Sequence, residues 1–184
     1  PENPETDEPG SAAFLTEQLE ETMRRRGGQR VIPLRHDIPD PQRPGRYLGL
    51  ERNVVRKDLA ASEVTLCLAF PDAYEIGMSH TGTKILYEIV NRRDGFACER
   101  SYAPWVDLEE VMRREAIPLF SIESCAPVRD FDVFAFSVSF EWDYTNIVTL
   151  LRLAGLPLYA AERDSRHPLV VIGGAVTFVN PEPL

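Results

Sequence analysis

The sequence predicts an α/β fold, a parallel β-sheet with helices on both faces. Three observations predict it. Short, nearly continuous apolar runs at 64–70, 132–140 and 168–172 read as strands covered on both sides. Segments with helical periodicity separate them, the pattern of βαβ units. Proline or paired glycine punctuates the ends of two of the runs, at Pro71 and at Gly173-Gly174. Crossovers in such a sheet are right-handed, and ligands bind beyond the carboxyl ends of the strands, near the topological switch point.

The elements follow in order. Residues 1–11 carry Glu2, Glu5, Asp7 and Glu8 without a base and read as a disordered tail. Residues 12–26 read as a helix. Leu15, Leu19 and Met23 form its stripe, Glu20 and Glu21 stand four residues before Arg24 and Arg25, and Gly27-Gly28 ends it. A Pro-rich linker runs on to Arg46, and seven of the 15 prolines fall in the first 44 residues. The first division of the chain is therefore 1–46, and the domain is 47–184. Within it, 47–55 reads as an edge strand or hairpin, and 64–70 as a strand stopped by Pro71. A helix starts near Ser79, with Ile85, Leu86, Ile89 and Val90 on one side. A weaker strand occupies 97–102. Asp107 and Glu110 open a helix that runs to about residue 114, with Leu108, Val111 and Met112 inward. A short strand at 118–122 and the clear one at 132–140 come next. The helix at 144–153 clusters Ile147, Val148, Leu150, Leu151 and Ala154 before Gly155, and the strand at 168–172 ends at Gly173-Gly174.

Composition bounds the function. The chain has 184 residues, enough for one domain with extra chain, at 43% hydrophobic and 27% charged. Lys and Arg number 20 against 29 Asp and Glu, a net charge of −9, which disfavours nucleic acid or a membrane surface as a partner. No apolar run reaches the ~18 residues of a membrane span. The opening PENPETDEPG is polar, unlike a secretory signal. Cys67, Cys98 and Cys125 are scattered and odd in number, which fits a reducing, cytoplasmic setting and lacks metal-ligand spacing. No GxGxxG or phosphate-binding P-loop motif occurs.

Three loops at the strand ends hold the candidate residues. The loop from Pro71 to Gly82 carries Tyr74, Glu75, Gly77, Ser79, His80 and Gly82 at a helix start, where free N–H groups suit phosphate or a polar cofactor tail. Its plainer reading is a Ser79 N-cap, with Gly82 allowing close packing. Ser137, Ser139 and Glu141 end the third clear strand, either to hydrogen-bond a ligand or to satisfy backbone. Gly173 and Gly174 either admit a flat ligand against bare backbone or make a turn. Asp72, Glu75 and Glu141 are candidate acid–base groups, or caps and solvated carboxylates. His36 and His167 sit in polar loops, and Cys67 reads as core. By themselves the residues describe a binding domain and assemble no catalytic constellation.

The fragments RYLGLERNVV, LAFPDAYEIGMSHTGTKILY, YAPWVDLEEVMRREAIPLFSIES, FDVFAFSVSFEWDYTNIVTLLRLAGLPL and VVIGGAVTFVNPEPL resemble the amino-terminal region of a family of uncharacterised radical SAM proteins. The resemblance covers 47–184. In that family the region is similar to a cobalamin-binding, Rossmann-like domain of flavodoxin-like strand order, set ahead of the radical SAM barrel. The resemblance therefore implies a barrel downstream in the same polypeptide. That barrel holds a 4Fe–4S cluster and S-adenosylmethionine, which this segment does not bind because CxxxCxxC is absent. It also implies a fifth strand beyond residue 184. Cobalamin-binding relatives carry DxHxxG, SxL and GG. Gly173-Gly174 matches GG, and Ser137-Val138-Ser139 matches the serine of SxL. His80 departs from DxHxxG: Met78 replaces the Asp, and Gly82 follows two residues on. The Asp would orient a metal-ligating His. Two readings follow: a corrin on the sheet edge without His80 as ligand, or a scaffold domain of the same shape that binds none and docks the barrel or a partner. A free-standing flavin binder is a third, disfavoured by the lack of a hydroxyl-rich phosphate loop after the first strand.

Overall fold

The computed structural model describes residues 44–47, 49 and 51–183; the expected tail and the helix at 12–26 lie outside the described residues. Four strands form one all-parallel sheet: β1 Val64–Phe70, β2 Phe96–Tyr102, β3 Val133–Ser137 and β4 Leu169–Gly173. The spatial order is β2-β1-β3-β4, so the chain switches direction across the sheet between β1 and β3. This is the expected α/β, Rossmann-like architecture. The helices are α1 Tyr74–Gly77, α2 Thr81–Asn91, α3 Val106–Glu115, α4 Asp143–Leu153 and α5 Val176–Val179.

Alternation along each strand sends side chains to both faces. On one face Cys67, Phe134 and Phe136 pack with Met112 of α3 and with Ile147 and Leu150 of α4, forming the main core. On the other, Leu68 and Cys98 pack with Tyr87 of α2. Strands covered in this way must read as continuous apolar runs, which is why β1, β3 and β4 were visible in the sequence.

Four expectations are corrected. The described residues of 47–55 form neither edge strand nor hairpin. Pro44–Tyr47 is a 3₁₀ turn, and the segment after it is irregular, tied down by side chains. The Tyr87 hydroxyl accepts from the Val55 N–H and donates to its C=O, replacing a strand's ladder bonds. Residues 118–122 make no strand either. Phe120 forms one antiparallel bridge with Pro127, while the Ser121 hydroxyl donates to buried Glu99 and the Ile122 N–H to the Arg100 C=O. The strand expected over 132–140 stops at Ser137, because the amides of Ser139 and Phe140 turn to Asp143.

The fourth correction concerns α2. Its buried residues are Thr83, Tyr87 and Asn91, and of the apolar stripe Val90 alone packs against the Leu68–Cys98 cluster beneath. Each of the three polar groups finds a partner. Thr83 bonds His80, Tyr87 bonds Val55, and the Asn91 amide spans the Cys98 N–H (3.0 Å) and C=O (2.9 Å). Ile85 and Ile89 are left 52% and 50% exposed.

A buried charge network organises the β2 side of the sheet. Arg100, 5% exposed in β2, donates through Nε to Glu123 Oε1 at 2.7 Å, and its backbone N–H reaches Oε2 at 2.6 Å. Its Nη2 lies within ion-pair distance of Glu51 but outside hydrogen-bond geometry. The guanidinium also stacks 4.6 Å from the Tyr87 ring centre. Burial pushes the Glu123 carboxyl up to about 7 against the opposing pull of Arg100. A group whose folded pKa is raised contributes most at low pH and loses that contribution as pH rises towards the folded value. Thermal denaturation between pH 4.5 and 8 should therefore show a downward slope that Glu123→Gln flattens. Arg100→Ala, which strands two carboxylates, should cost on the order of 3–5 kcal/mol by denaturant titration.

Candidate functional site

The carboxyl ends of β1, β3 and β4 converge at the switch point, and three short connections meet there. After β1, Pro71 and Asp72 lead into α1, and a second turn at Ser79 and His80 leads into α2. Asp72 Oδ1 accepts from the Ala73 N–H at 2.6 Å. The N-cap of α2 is His80, not Ser79: His80 Nδ1 accepts from the Thr83 N–H at 3.2 Å and lies 2.8 Å from the Thr83 hydroxyl. An accepting Nδ1 assigns the hydrogen of the neutral ring to Nε2, which faces the Ser139 hydroxyl at 3.4 Å. The ring also packs 4.9 Å from Phe70. Both nitrogens of His80 are thus engaged inside the fold.

The structure brings some of the expected residues together and separates others. His80 and Ser139 meet. Ser137 and Gly173 are register partners, and the Val138 N–H donates to the Gly173 C=O at 2.8 Å. Gly82 lies against the same ring: a Cβ there would sit 2.9 Å from His80 Cε1. The remaining positions take local partners. Ser79 donates to the Ile76 C=O, and exposed Glu75 pairs with Arg46 at 2.7 Å. Tyr74 donates to Glu51 at 2.6 Å, and burial raises its hydroxyl well above the usual range. Gly77 is required by Tyr102, whose ring would lie 2.5 Å from a Cβ. Glu141 is exposed at the rim. Of the acid–base candidates, Asp72 thus accepts from Ala73, Glu75 pairs with Arg46 and Glu141 is exposed. His36 lies outside the described residues, and the His167 Nδ1 accepts from the Asp164 N–H in its own turn.

Three residues that sequence reasoning did not single out shape this rim. Asp143, 1% exposed, accepts from the Ser139 and Phe140 amides through Oδ2, while Oδ1 has no hydrogen-bond partner among the described residues. Burial raises its carboxyl, opposed by those two amides. Phe140 and Trp142 stack in the open, with ring centroids 4.8 Å apart and exposures of 50% and 66%. The FEWDY run carried the signal: two aromatics flank a Glu just past a strand end, where apolar side chains have no core to enter. Across the switch point Asn146 donates to the Pro71 C=O at 2.7 Å, a second bridge beside His80 and Ser139.

The glycine pair divides its work. At Gly174 φ is +132°, and a Cβ would stand 2.0 Å from the Val138 carbonyl oxygen, so this residue seats the β4 turn on β3. Gly173 has no heavy atom within 4 Å of a Cβ position, so its face is open. Among the described residues no three His, Cys, Asp or Glu side chains gather as a metal site, and no helix is long and apolar enough to cross a membrane.

A family model described as "Radical SAM proteins, N-terminal" matches residues 82–184, more than half of the chain. No curated protein matches it.

The glycine geometry gives a paired expectation. Gly173→Ala should change stability by less than about 0.5 kcal/mol. Gly174→Ala should cost about 1–3 kcal/mol, because both its φ and the Val138 carbonyl oppose a side chain. Urea denaturation of the two variants reads the difference.

Proposed function

This chain belongs to the family of radical SAM protein N-terminal domains, and on that premise we propose that residues 47–184 position a cofactor or substrate for the catalytic centre. Membership implies a radical SAM domain further along the same polypeptide, with a 4Fe–4S cluster and S-adenosylmethionine there. The three cysteines of this segment are all buried, and burial pushes their thiols up, Cys125 to about 12. Thiols held protonated in a core are poor cluster ligands.

The observation that carries the reading is the open stacked pair Phe140 and Trp142, two and four residues beyond the Val138 backbone on which Gly174 sits. Exposed aromatics past the end of β3, and the unobstructed face of Gly173 at the end of the neighbouring β4, offer flat surfaces for a ligand. Cobalamin is the ligand that the resemblance brings to this rim, and when bound it supplies a cobalt that relays a methyl group. The open backbone face of Gly173 and the exposed Phe140 and Trp142 rings are the flat surfaces that a corrin would use. His80 does not fit as its metal ligand, because Nδ1 caps α2 and Nε2 faces Ser139. The protein's part is to seat the ring, hold it against bare backbone and shield it from water.

A second reading has its own support. The bridges His80–Ser139 and Asn146–Pro71 draw the loops together at the switch point, as suits a docking domain without a cofactor.

Mixing the purified protein with hydroxocobalamin separates the two. On the first reading the cofactor co-elutes on gel filtration at tens of micromolar, Phe140→Ala with Trp142→Ala weakens binding at least tenfold, and His80→Ala leaves it within about twofold. His80→Ala should still cost about 1 kcal/mol of stability through the lost cap. Absence of co-elution, with the fold intact by circular dichroism, favours the docking domain.

A further inference from the structure

Two cations of this domain are held in the same way. Arg46 stands 5.1 Å over the Trp105 ring and pairs with Glu75 at 2.7 Å. Arg100 stands 4.6 Å over the Tyr87 ring and pairs with Glu123 at 2.7 Å. Each guanidinium has a π face on one side and a carboxylate on another, and both favour positive charge. The connection from β3 to α4 offers the same two parts. Phe140 and Trp142 stack in the open, exposed Glu141 lies between them in the chain, and Asp143 follows. Asn146, in the same helix, donates to the Pro71 C=O and so brings Asp72 to this rim. Among the described residues, Asp72, Glu141 and Asp143 are in no ion pair.

The charge of the rim is one-sided. Residues 71–82, 138–146 and 173–183, which follow β1, β3 and β4, hold Asp72, Glu75, Glu141, Asp143 and Glu182 and no Lys or Arg. The helix starts there are closed to an anion as well. His80 Nδ1 caps α2, and the Asp143 carboxylate occupies the first turn of α4. A phosphate, which free N–H groups at these loops would have suited, meets repulsion instead. A second observation is independent of that count. Asp143 is 1% exposed, its Oδ2 serves the Ser139 and Phe140 amides, and its Oδ1 has no hydrogen-bond partner among the described residues. Burial raises its carboxyl, the two amides oppose that, and the like charge of Asp72 raises it further. A buried carboxylate oxygen without a partner costs free energy that a nearby positive charge recovers.

We propose that the ligand of this rim is a flat organic cation, stacked on the outer face of the Phe140–Trp142 pair, with its positive charge answered by Glu141, Asp72 and Asp143. The inference rests on the cofactor- or substrate-positioning reading and adds to it the sign of the ligand's charge. Trp is the best ring partner for a cation, and at 66% exposure its face is accessible. Positive charge also relieves the repulsion among three carboxylates that no Lys or Arg of these connections neutralises.

Three aromatic probes of nearly equal shape test it: N-methylquinolinium, a cation; quinoline, neutral at physiological pH; and quinoline-2-carboxylate, an anion. Equilibrium dialysis against the whole 184-residue chain at low salt should give affinities that fall in that order, by about fivefold at each step. Raising the salt to about 0.5 M should erase most of the preference for the cation and leave quinoline unchanged. Glu141→Gln, at an exposed position, should weaken N-methylquinolinium about threefold and leave quinoline unchanged, with the same circular dichroism. Trp142→Ala should remove binding of both. Equal affinity for all three probes overturns the proposal and leaves the aromatic platform standing. Tighter binding of the carboxylate overturns it too, as does binding that survives Trp142→Ala. If none of the three binds, the proposal falls, and hydroxocobalamin co-elution decides separately whether the positioning reading falls with it. If Trp142→Ala unfolds the protein, the salt series and Glu141→Gln decide, and a cation preference indifferent to both overturns the proposal.

Discussion

The side of this domain built on β2 depends on one buried cation. Arg100 lies in the sheet, nearly free of solvent, and a charge so placed is tolerable only with opposite charge and hydrogen bonds around it. Glu123 supplies both on one side and Glu51 a carboxylate on the other. Two segments without regular structure are thereby fixed: the chain entering at 44–61, and the loop from 118 to 127 along the outer edge of β2. Tyr87, stacked on the guanidinium, hands the constraint to α2 and, through its hydroxyl, back to Val55. The hydroxyls of Ser121 and Ser124 in the same loop donate to Glu99 and complete the attachment. An edge strand that could recruit another chain is covered by a side-chain lattice instead.

The functional rim follows from how the remaining polar groups are spent. At the switch point the ends of β1 and β3 are joined by the His80–Ser139 and Asn146–Pro71 contacts, while Asp143 holds the Ser139 and Phe140 amides within the β3–α4 connection, so these polar residues already have work within the protein. What remains available is apolar and flat: the stacked Phe140–Trp142 pair and the bare backbone at Gly173. Function is argued from such surfaces and not from the fold, which hosts many chemistries; the family match covers residues 82–184, which include both of them.

Legibility in the sequence tracked the range of the interactions involved. β1 was readable to the residue, because a doubly covered strand needs seven apolar or small residues whatever surrounds it. The α4 helix and the glycine turn after β4 were equally local. The faces of α2 were not: hydrophobic periodicity found the apolar stripe correctly, but Thr83, Tyr87 and Asn91 could be turned to the sheet only because His80, Val55 and Cys98 stood ready to satisfy them. Among the candidate site residues, Gly173, Gly174, Ser139 and His80 were found from motif and loop position. Asp143 and the aromatic pair have only the FEWDY run past the end of β3 as their signal, and that run does not say which of its side chains is buried and which two stack in the open.

By itself, then, the chain determined its strands, their parallel pairing and the end of the sheet at which its loops gather, because burial on two faces and glycine conformation are local demands. The tertiary structure alone decided which polar side chains closed the switch point, which face of α2 met the sheet and why 47–55 and 118–122 are not strands. Those outcomes depend on partners dozens of residues away, and a buried hydrogen bond or ion pair has no sequence period by which to be recognised.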